Sequence, residues 1–422
     1  MSKQNPSLQE AFLVWAKIGI LSFGGPAAQI AMMHKEVVDN KKWLTEKQFL
    51  NALSFCMLLP GPEAMQLATY AGWRINGTIG GLIAGLLFVI PGAIVILALA
   101  TIYAFFGTVP IVEALFLGVK ATVVIIVIEA LLRVSKKALK RNDHWVIAGL
   151  AFVGIFFFNI PYPLIVLIAA LYGLMFNEIS TEQEEAITHR QPLFKTLKTI
   201  TLWLAIWWLP ILLLDLFSQT EILKEIAYFF SKLAVVTFGG AYAVLAYMGQ
   251  DVVSIKGWLT AGQMMDGLGL AETTPGPLIL VTEFVGFLAG FASGGWWLGV
   301  FAAIVTLWVT FTPCFLWIFA GAPYIDWIGT QPRLRGALNA ITAAVVGVIL
   351  NLSIWFALHV FFNTVYRSNH GPLTLWIPEF TTLNPIVAIL AFLSGYLLLK
   401  RHWNVVTVLC VSAALSFGVA QL

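Results

Sequence analysis

Residues 22–25 read Ser-Phe-Gly-Gly and residues 59–63 read Leu-Pro-Gly-Pro-Glu, and these words return later in the chain at one constant offset. Phe23-Gly24-Gly25 recurs as Phe238-Gly239-Gly240, Trp43-Leu44-Thr45 as Trp258-Leu259-Thr260, and Pro60-Gly61-Pro62 as Pro275-Gly276-Pro277. A glycine pair frees the backbone, and proline removes a donor and forces its predecessor out of helix, so each motif is expected to break the helix that carries it. A broken helix at membrane depth is tolerated only where protein or a water-filled cavity satisfies the loosened backbone groups. Such a unit, present twice, is the pattern of a transporter whose halves surround one central site.

Composition puts the chain in a bilayer. Of 422 residues, 59% are hydrophobic and 11% charged, with a mean hydropathy of +0.88; soluble domains carry roughly 25% charged residues. A net charge of +3 without a Lys/Arg run argues against a nucleic-acid partner. The polar N-terminus, with Glu10, lacks the pattern of a removable signal peptide, so the first apolar segment is expected to stay in the mature protein. Cys56, Cys314 and Cys410 lie far apart in apolar runs and read as buried free thiols. The histidines show no ligand spacing and no HExxH, GxSxG or GxxxxGK[ST] occurs, so no enzyme, ATP-driven pump, metal or cofactor is expected.

Apolar segments, judged against the about 20 residues a crossing helix needs, run near Ile79 to Phe105, Ile111 to Leu132, Trp145 to Ile160, Leu164 to Phe176 and Ile200 to Phe217. Others run near Trp296 to Ala320, Ala337 to Phe362, Pro385 to Leu399 and Trp403 to Leu422, several of them short. The polar stretch Glu178 to Lys198 divides the copies, giving a first repeat (1–177), a polar linker with a connecting transmembrane helix (178–220) and a second repeat (221–422).

Basic residues set the expected topology. Lys35, Lys41, Lys42 and Lys47, then Arg74, then Arg133, Lys136, Lys137, Lys140 and Arg141 all fall on the cytoplasmic side if an even number of crossings separates them. That holds if Lys47 to Trp73 dips in and returns as a hairpin; a kinked through-helix is the alternative. In the second half only Lys256 follows the FGG word, while Arg333, Arg335, Lys400 and Arg401 gather elsewhere, so the copies are expected to be inverted by the odd span Ile200 to Phe217. The expected fold class is all-α: a polytopic integral membrane protein of two homologous inverted repeats with broken, re-entrant helices.

Lys17 and Lys232 occupy matching places before each FGG. A lysine inside an apolar segment costs roughly 2.5–3.5 kcal/mol on insertion scales, and two matching costs point to an electropositive site; snorkelling to headgroups is the plain alternative. Backbone N–H groups at a half-helix start make an anion site without side-chain charge. The motifs that open such starts are Gly24, Gly25, Pro60, Gly61 and Pro62 in the first copy and Gly239, Gly240, Pro275, Gly276 and Pro277 in the second, the prolines breaking the helix and the glycines supplying N–H groups. Ser22, Thr237, Thr273 and Thr274 could add hydroxyl donors and Gln66 an amide. Close packing of small residues is the competing account. Glu63 and Glu272, which flank the PGP words, and Glu129 in an apolar run would repel an anion unless protonated or paired, so they are assigned to coupling or gating. Glu283 also sits in an apolar run; Glu36 and Asp251 align near a loop, where solvation is the expected role.

The words SFGGPAAQIAMMHKEVV, WLTEKQFL and LLPGPEAMQLATYAGW, with TFGGAYAVLAYMGQDVV and AETTPGPLILVTEFVG in the second half, resemble the chromate transporter (CHR) family in its long, two-domain form. The resemblance implies a multi-pass inner-membrane protein that exports chromate, with sulfate as the close structural analogue; for a divalent anion leaving a negative interior, membrane potential or a proton gradient is the expected drive. It carries over Lys17, Gly24, Gly25, Pro60, Gly61, Pro62, Gln66, Lys232, Gly239, Gly240, Pro275, Gly276 and Pro277. The expected partners are a chromate- or sulfate-like oxyanion and the lipid bilayer, and a homodimer is compatible with this reading. A symporter or exchanger for sulfate or another inorganic anion, and a non-transporting membrane subunit or receptor, stay open as alternatives.

Overall fold

The computed structural model describes residues 6–176, 193–238, 240–325 and 331–421. Gly239 and most of the Glu178 to Lys198 stretch lie outside the described residues. The chain packs as two compact units that cut across the repeats: residues 1–100, 179–241 and 274–332 form one, and 101–178, 242–273 and 333–422 the other.

In the first unit, the Ser7 side chain caps α1 (Leu8–Leu21) by accepting from the Glu10 amide at 3.2 Å. The helix stops at FGG, where Gly24 and Gly25 take φ of +85° and +76°, conformations that only glycine adopts without strain. The chain then runs back as α2 (Gly25–His34) and a π-helical turn, Lys35–Asn40. Two ion pairs close this hairpin: Lys17 to Glu36 at 2.6 Å and, farther from the bend, Lys41 to Glu10 at 2.8 Å. The first broken segment is therefore re-entrant. Glu36, expected in solvent, is instead buried, because it is the acceptor that holds Lys17.

The WLT word has a structural cause. Thr45 and Gln48 exchange hydrogen bonds with each other's backbone (3.0 and 3.3 Å) and start α3 (Glu46–Cys56). Thr260 and Gln263 do the same for α11 (Ala261–Thr273) at 2.8 and 3.1 Å. A capping box of this kind is worth about 1 kcal/mol.

After the first PGP, α4 (Glu63–Phe106) is two helices joined at Asn76–Gly77, where φ of Gly77 is +65°. Its arms, 63–75 and 78–106, lie antiparallel: Gly72 packs on Gly80 and Ala84, and Thr69 on Gly85. A β-carbon on Gly72 would stand 2.3 Å from the Gly80 carbonyl oxygen, so the small residues let the arms touch. After the second PGP, α12 (Val281–Gly321) turns back in the same way at Gly294–Gly295, with Gly286 against Thr306 and Gly290 against Ala302. The long arms of α4 and α12 meet with Gly81 on Phe319 and Gly85 on Phe315, so numbering rises on one as it falls on the other. They run in opposite directions, as inverted repeats require. α8 (Leu193–Phe217) is long enough to cross a membrane and stands where the odd span was expected; its Trp203 stacks on Phe315 and its Trp207 donates to Ser231 of α9 (Glu221–Val236) at 3.3 Å.

In the second unit, α5 (Pro110–Ala138) carries α14 (Pro385–Gly395) and α15 (Val405–Ala420) through hydroxyl contacts. Ser412 Oγ donates to the Gly118 carbonyl at 2.8 Å, and the Thr122 and Ser394 hydroxyls pair at 2.9 Å. α6 (Asn142–Phe158) meets Gly347 of α13 (Pro332–Phe361), and α7 (Tyr162–Met175) meets Gly336 through Gly173. α10 (Ala241–Gln250) ends in a second π-helical turn, Asp251–Ile255.

Among the described residues, five helices are long and apolar enough to cross a membrane. α6, α7, α14 and α15, which cover the remaining expected spans, have 17, 14, 11 and 16 residues, short of the about 20 a crossing needs. Their outer faces are apolar, with Leu150, Ile168, Ile389 and Phe392 exposed as lipid contacts demand. An antiparallel β-hairpin, β1 (Val365–His370) with β2 (Leu373–Pro378), was not foreseen; it hangs on α6 by a bond from Asn159 Nδ2 to Thr374 Oγ1 at 2.5 Å. Cys56 and Cys314 are buried as expected, but Cys410 is exposed on the outer face of α15.

Candidate functional site

The four broken points meet in crossed pairs. The Gly276 amide of the second PGP donates to the Ser22 carbonyl before the first FGG, and the Gly61 amide of the first PGP donates to the Thr237 carbonyl before the second FGG, both at 2.9 Å. Each PGP also rests on the long arm of the opposite repeat. A β-carbon on Gly92 of α4 would stand 2.2 Å from the Pro275 carbonyl oxygen, and one on Gly61 would stand 2.9 Å from Cys314 Sγ of α12. The loops of one copy are completed by the other, which is how irregular backbone survives away from water.

This pairing uses up several of the expected donors. Gly61 and Gly276 spend their amides on the partner motif. Ser22 Oγ donates to Ile18 O and Thr237 Oγ1 to Leu233 O, both at 2.5 Å, so these hydroxyl protons point back along their own helices. Gln66 donates to the Pro60 carbonyl at 2.6 Å. Thr273 donates to Leu270 O, and Thr274, Pro275 and Pro277 are buried, as is Pro62, with Pro60 half-buried. What remains are half-helix starts: α2 begins from exposed Gly24 with no side-chain cap, and the turn Leu278–Leu280 begins from Pro277 with none. Such first-turn N–H groups and the positive dipole end suit an anion.

The lysines lie off the junctions. Lys17 is half-exposed and engaged by Glu36, and Lys232 is exposed. Glu63 opens α4, and its Oε1 is 3.8 Å from where a β-carbon on Gly240 would stand, so it faces the second FGG. Glu272 and Glu129 belong to the other compact unit. There Tyr242 donates to Glu272 Oε1 at 2.6 Å and Arg133 holds Glu129 at 2.8 Å.

Two sets of residues escaped the sequence reading. Gln29, buried on α2, donates to Gly276 O at 2.6 Å and to Ser22 O at 3.3 Å, clamping the first crossed junction. A lone amide within the apolar run AAQIAMM was its signal. In the second unit Lys120 of α5, Tyr103 and Asp266 of α11 converge, with the amine 3.3 Å and the phenol 2.7 Å from Asp266 Oδ2. Both charges stand in apolar sequence, but the repeat register pairs Asp266 with the uncharged Asn51, so a search for charges matched in both copies passes over it.

The family model described as chromate transporter matches residues 9–174 and 224–417, that is, both repeats. A protein named chromate transport protein from Pseudomonas aeruginosa is 33% identical over 356 residues, covering 81% of this chain and 79% of the relative. An uncharacterized transporter of Methanocaldococcus jannaschii is 26% identical over 419 residues, 98% of this chain and 95% of its own length. An uncharacterized transporter of Bacillus subtilis aligns 93% of its length with only 38% of this chain, as a single repeat would. No solved structure matches. With opposed repeats, crossed motifs and a family match over both halves, this multi-pass membrane protein belongs to the chromate transporter family.

Proposed function

We propose that this protein exports chromate, and oxyanions of the same shape and charge such as sulfate, across the inner (plasma) membrane by alternating access of its crossed junctions. The observation that carries the reading is the crossing itself: each broken loop is satisfied by the opposite repeat, which leaves uncapped half-helix N-termini as the groups with unspent affinity for an anion. Inverted repeats supply two mirror-related ways to pack those junctions, and rocking between them exposes the site to one side or the other. Lys232 adds positive potential on approach, Lys17 brings its charge already paired with Glu36, and Glu63, next to the second FGG, discourages an anion from resting there.

The field across the membrane is a sufficient drive. Each charge moved is worth about 2.3 kcal/mol per 100 mV, so a dianion leaving a negative interior gains roughly 4.6 kcal/mol per 100 mV. Labelled chromate in proteoliposomes under an imposed potential tests this: flux toward the positive side should rise with voltage and fall when unlabelled sulfate competes. Voltage-independent flux removes the electrogenic reading. Unchanged flux in the Lys17→Ala/Lys232→Ala double variant removes the lysines from the site.

A further inference from the structure

Asp266 is 2% exposed, and one of its oxygens carries the whole of its bonding. Oδ2 accepts from the Tyr103 hydroxyl at 2.7 Å and lies 3.3 Å from Lys120 Nζ, while Oδ1 is buried with no hydrogen-bond partner among the described residues. A bare carboxylate oxygen in a buried setting is costly unless something binds it. The groups acting on it are few. α5 contributes Lys120 and, two turns earlier, Glu113; the end of α4 contributes Tyr103. α15, packed on α11, has no Asp, Glu, Lys, Arg or His.

Lys120 lies well inside a membrane-spanning helix, and Asp266 sits mid-way along α11. Gly262, at the start of the same helix, leaves the amine room: a β-carbon there would stand 3.3 Å from Lys120 Nζ. Intramembrane ion pairs of this kind mark ion pathways more often than they add stability. No cation fits beside an ammonium that already neutralises the carboxylate. A proton does, because it bonds covalently to the bare oxygen, removes the carboxylate's charge and needs no coordination shell.

We infer that Asp266 binds the coupling proton of this transporter on Oδ1, with Lys120 and Tyr103 holding the other oxygen. The proton comes from water, forms an O–H bond, and changes the charge of the Lys120–Asp266 pair from zero to plus one; its release on the opposite face restores the pair. The coupling role rests on the transport reading, whereas proton binding at Asp266 does not.

Infrared titration of the full-length protein in detergent, from about pH 5 to about pH 8, tests the site without any flux. A protonated-carboxyl C=O band that grows on acidification and is absent from Asp266→Asn is the expected result. Lys120→Met keeps the carboxyl and should move the midpoint of that band up by about one pH unit, roughly a tenfold gain in proton affinity. A band unchanged in both variants overturns the assignment. In proteoliposomes, Asp266→Asn should keep voltage-driven oxyanion flux but lose the response to an imposed proton gradient; the sign of that response in the wild type tells whether the proton travels with or against the anion. An equal gradient response in wild type and variant removes the coupling role while leaving transport intact. If the wild type moves no oxyanion, the transport reading and the coupling role fall together, and the infrared band still decides the proton site.

Discussion

The two crossed junctions share one backbone hydrogen bond and the hydroxyl that turns back beside it, and differ in the polar side chains that gather around them. Both join a PGP glycine amide to the carbonyl before the opposite FGG at 2.9 Å. The first FGG with the second PGP is clamped from outside by Gln29, which reaches across from α2. At the first PGP with the second FGG, Gln66 and Cys314 crowd Gly61 from within, and Glu63 faces Gly240. The register puts Val244 at the place of Gln29, Val281 at that of Gln66 and Leu278 at that of Glu63. Duplication preserved the backbone bond, and the polar side chains then diverged. Two unlike halves around one site are what a solute with a defined direction of travel needs, because the two access states need not have equal energy.

The largest test breaks the shared bond's geometry. Gly61 sits at φ +115°, and a β-carbon there would come within 2.8 Å of Gln66 Nε2, which its own bond to Pro60 holds in place. Gly276, at φ +86°, would meet Leu280 Cδ1 at 3.1 Å and Phe88 O at 3.4 Å. Gly61→Ala should lose about 2–4 kcal/mol of stability and Gly276→Ala about 1–2 kcal/mol, from backbone strain plus crowding. Thermal unfolding of the purified proteins in detergent ranks them; an equal or reversed order would show that strain alone, and not the crowded side chains, sets the cost.

Much of this arrangement could be read from residues alone, for definite reasons. Glycine and proline words announce broken helices because they act on the backbone itself, and a constant offset announces duplication. Lysine counts pointed to a hairpin at Lys47 to Trp73, whereas the hairpin that the Lys17–Glu36 and Lys41–Glu10 pairs close is the one at the first FGG. Which loop meets which was not legible, since nothing local in Gly276 says that its donor goes to Ser22. The same limit hid Gln29, whose role exists only once the junction has formed, and put Glu36 in solvent when its partner, Lys17, lies across the hairpin on α1. The β-hairpin escaped because its short strands stand among apolar helices without a repeat to flag them. Asp266 escaped because its partners come from two other helices.

The clamp is the next difference to exploit. Gln29→Leu keeps the volume but removes the donor from the buried Gly276 carbonyl, a loss of about 1–3 kcal/mol. Gln66→Leu strips a bond from Pro60, which is only half-buried and can turn to other partners, so about 1 kcal/mol is expected. The comparison also reads function. If the first junction is the more rigid, Gln29→Leu should slow chromate flux in proteoliposomes more than Gln66→Leu at matched protein incorporation. Equal flux in both would mean that neither amide shapes the moving junction.

The smallest effect concerns the base of the first hairpin, where the copies also differ. His34 bonds to Glu46 at 2.6 Å and lies 3.4 Å from Asp39, outside the spanning segments. The Glu46 hydrogen bond is the main reason its imidazolium is favoured, with the charges of Glu46 and Asp39 adding to it, so its pKa is raised above the ordinary 6.5. The register places Gly249 and Ala261 there in the second copy, which therefore has no counterpart to the pair. A raised folded pKa means that the stabilisation is fully present below the ordinary imidazole value and is lost as pH rises through the raised one. Wild type should thus melt above His34→Gln at about pH 6, by on the order of 1–2 °C, and the gap should close by about pH 9. A gap that stays constant across that range would show that His34 acts through its packing on Phe49, an edge-on ring contact at 5.1 Å that does not depend on charge. A gap that widens with pH would reverse the sign and exclude the ion pair as the source of the stability.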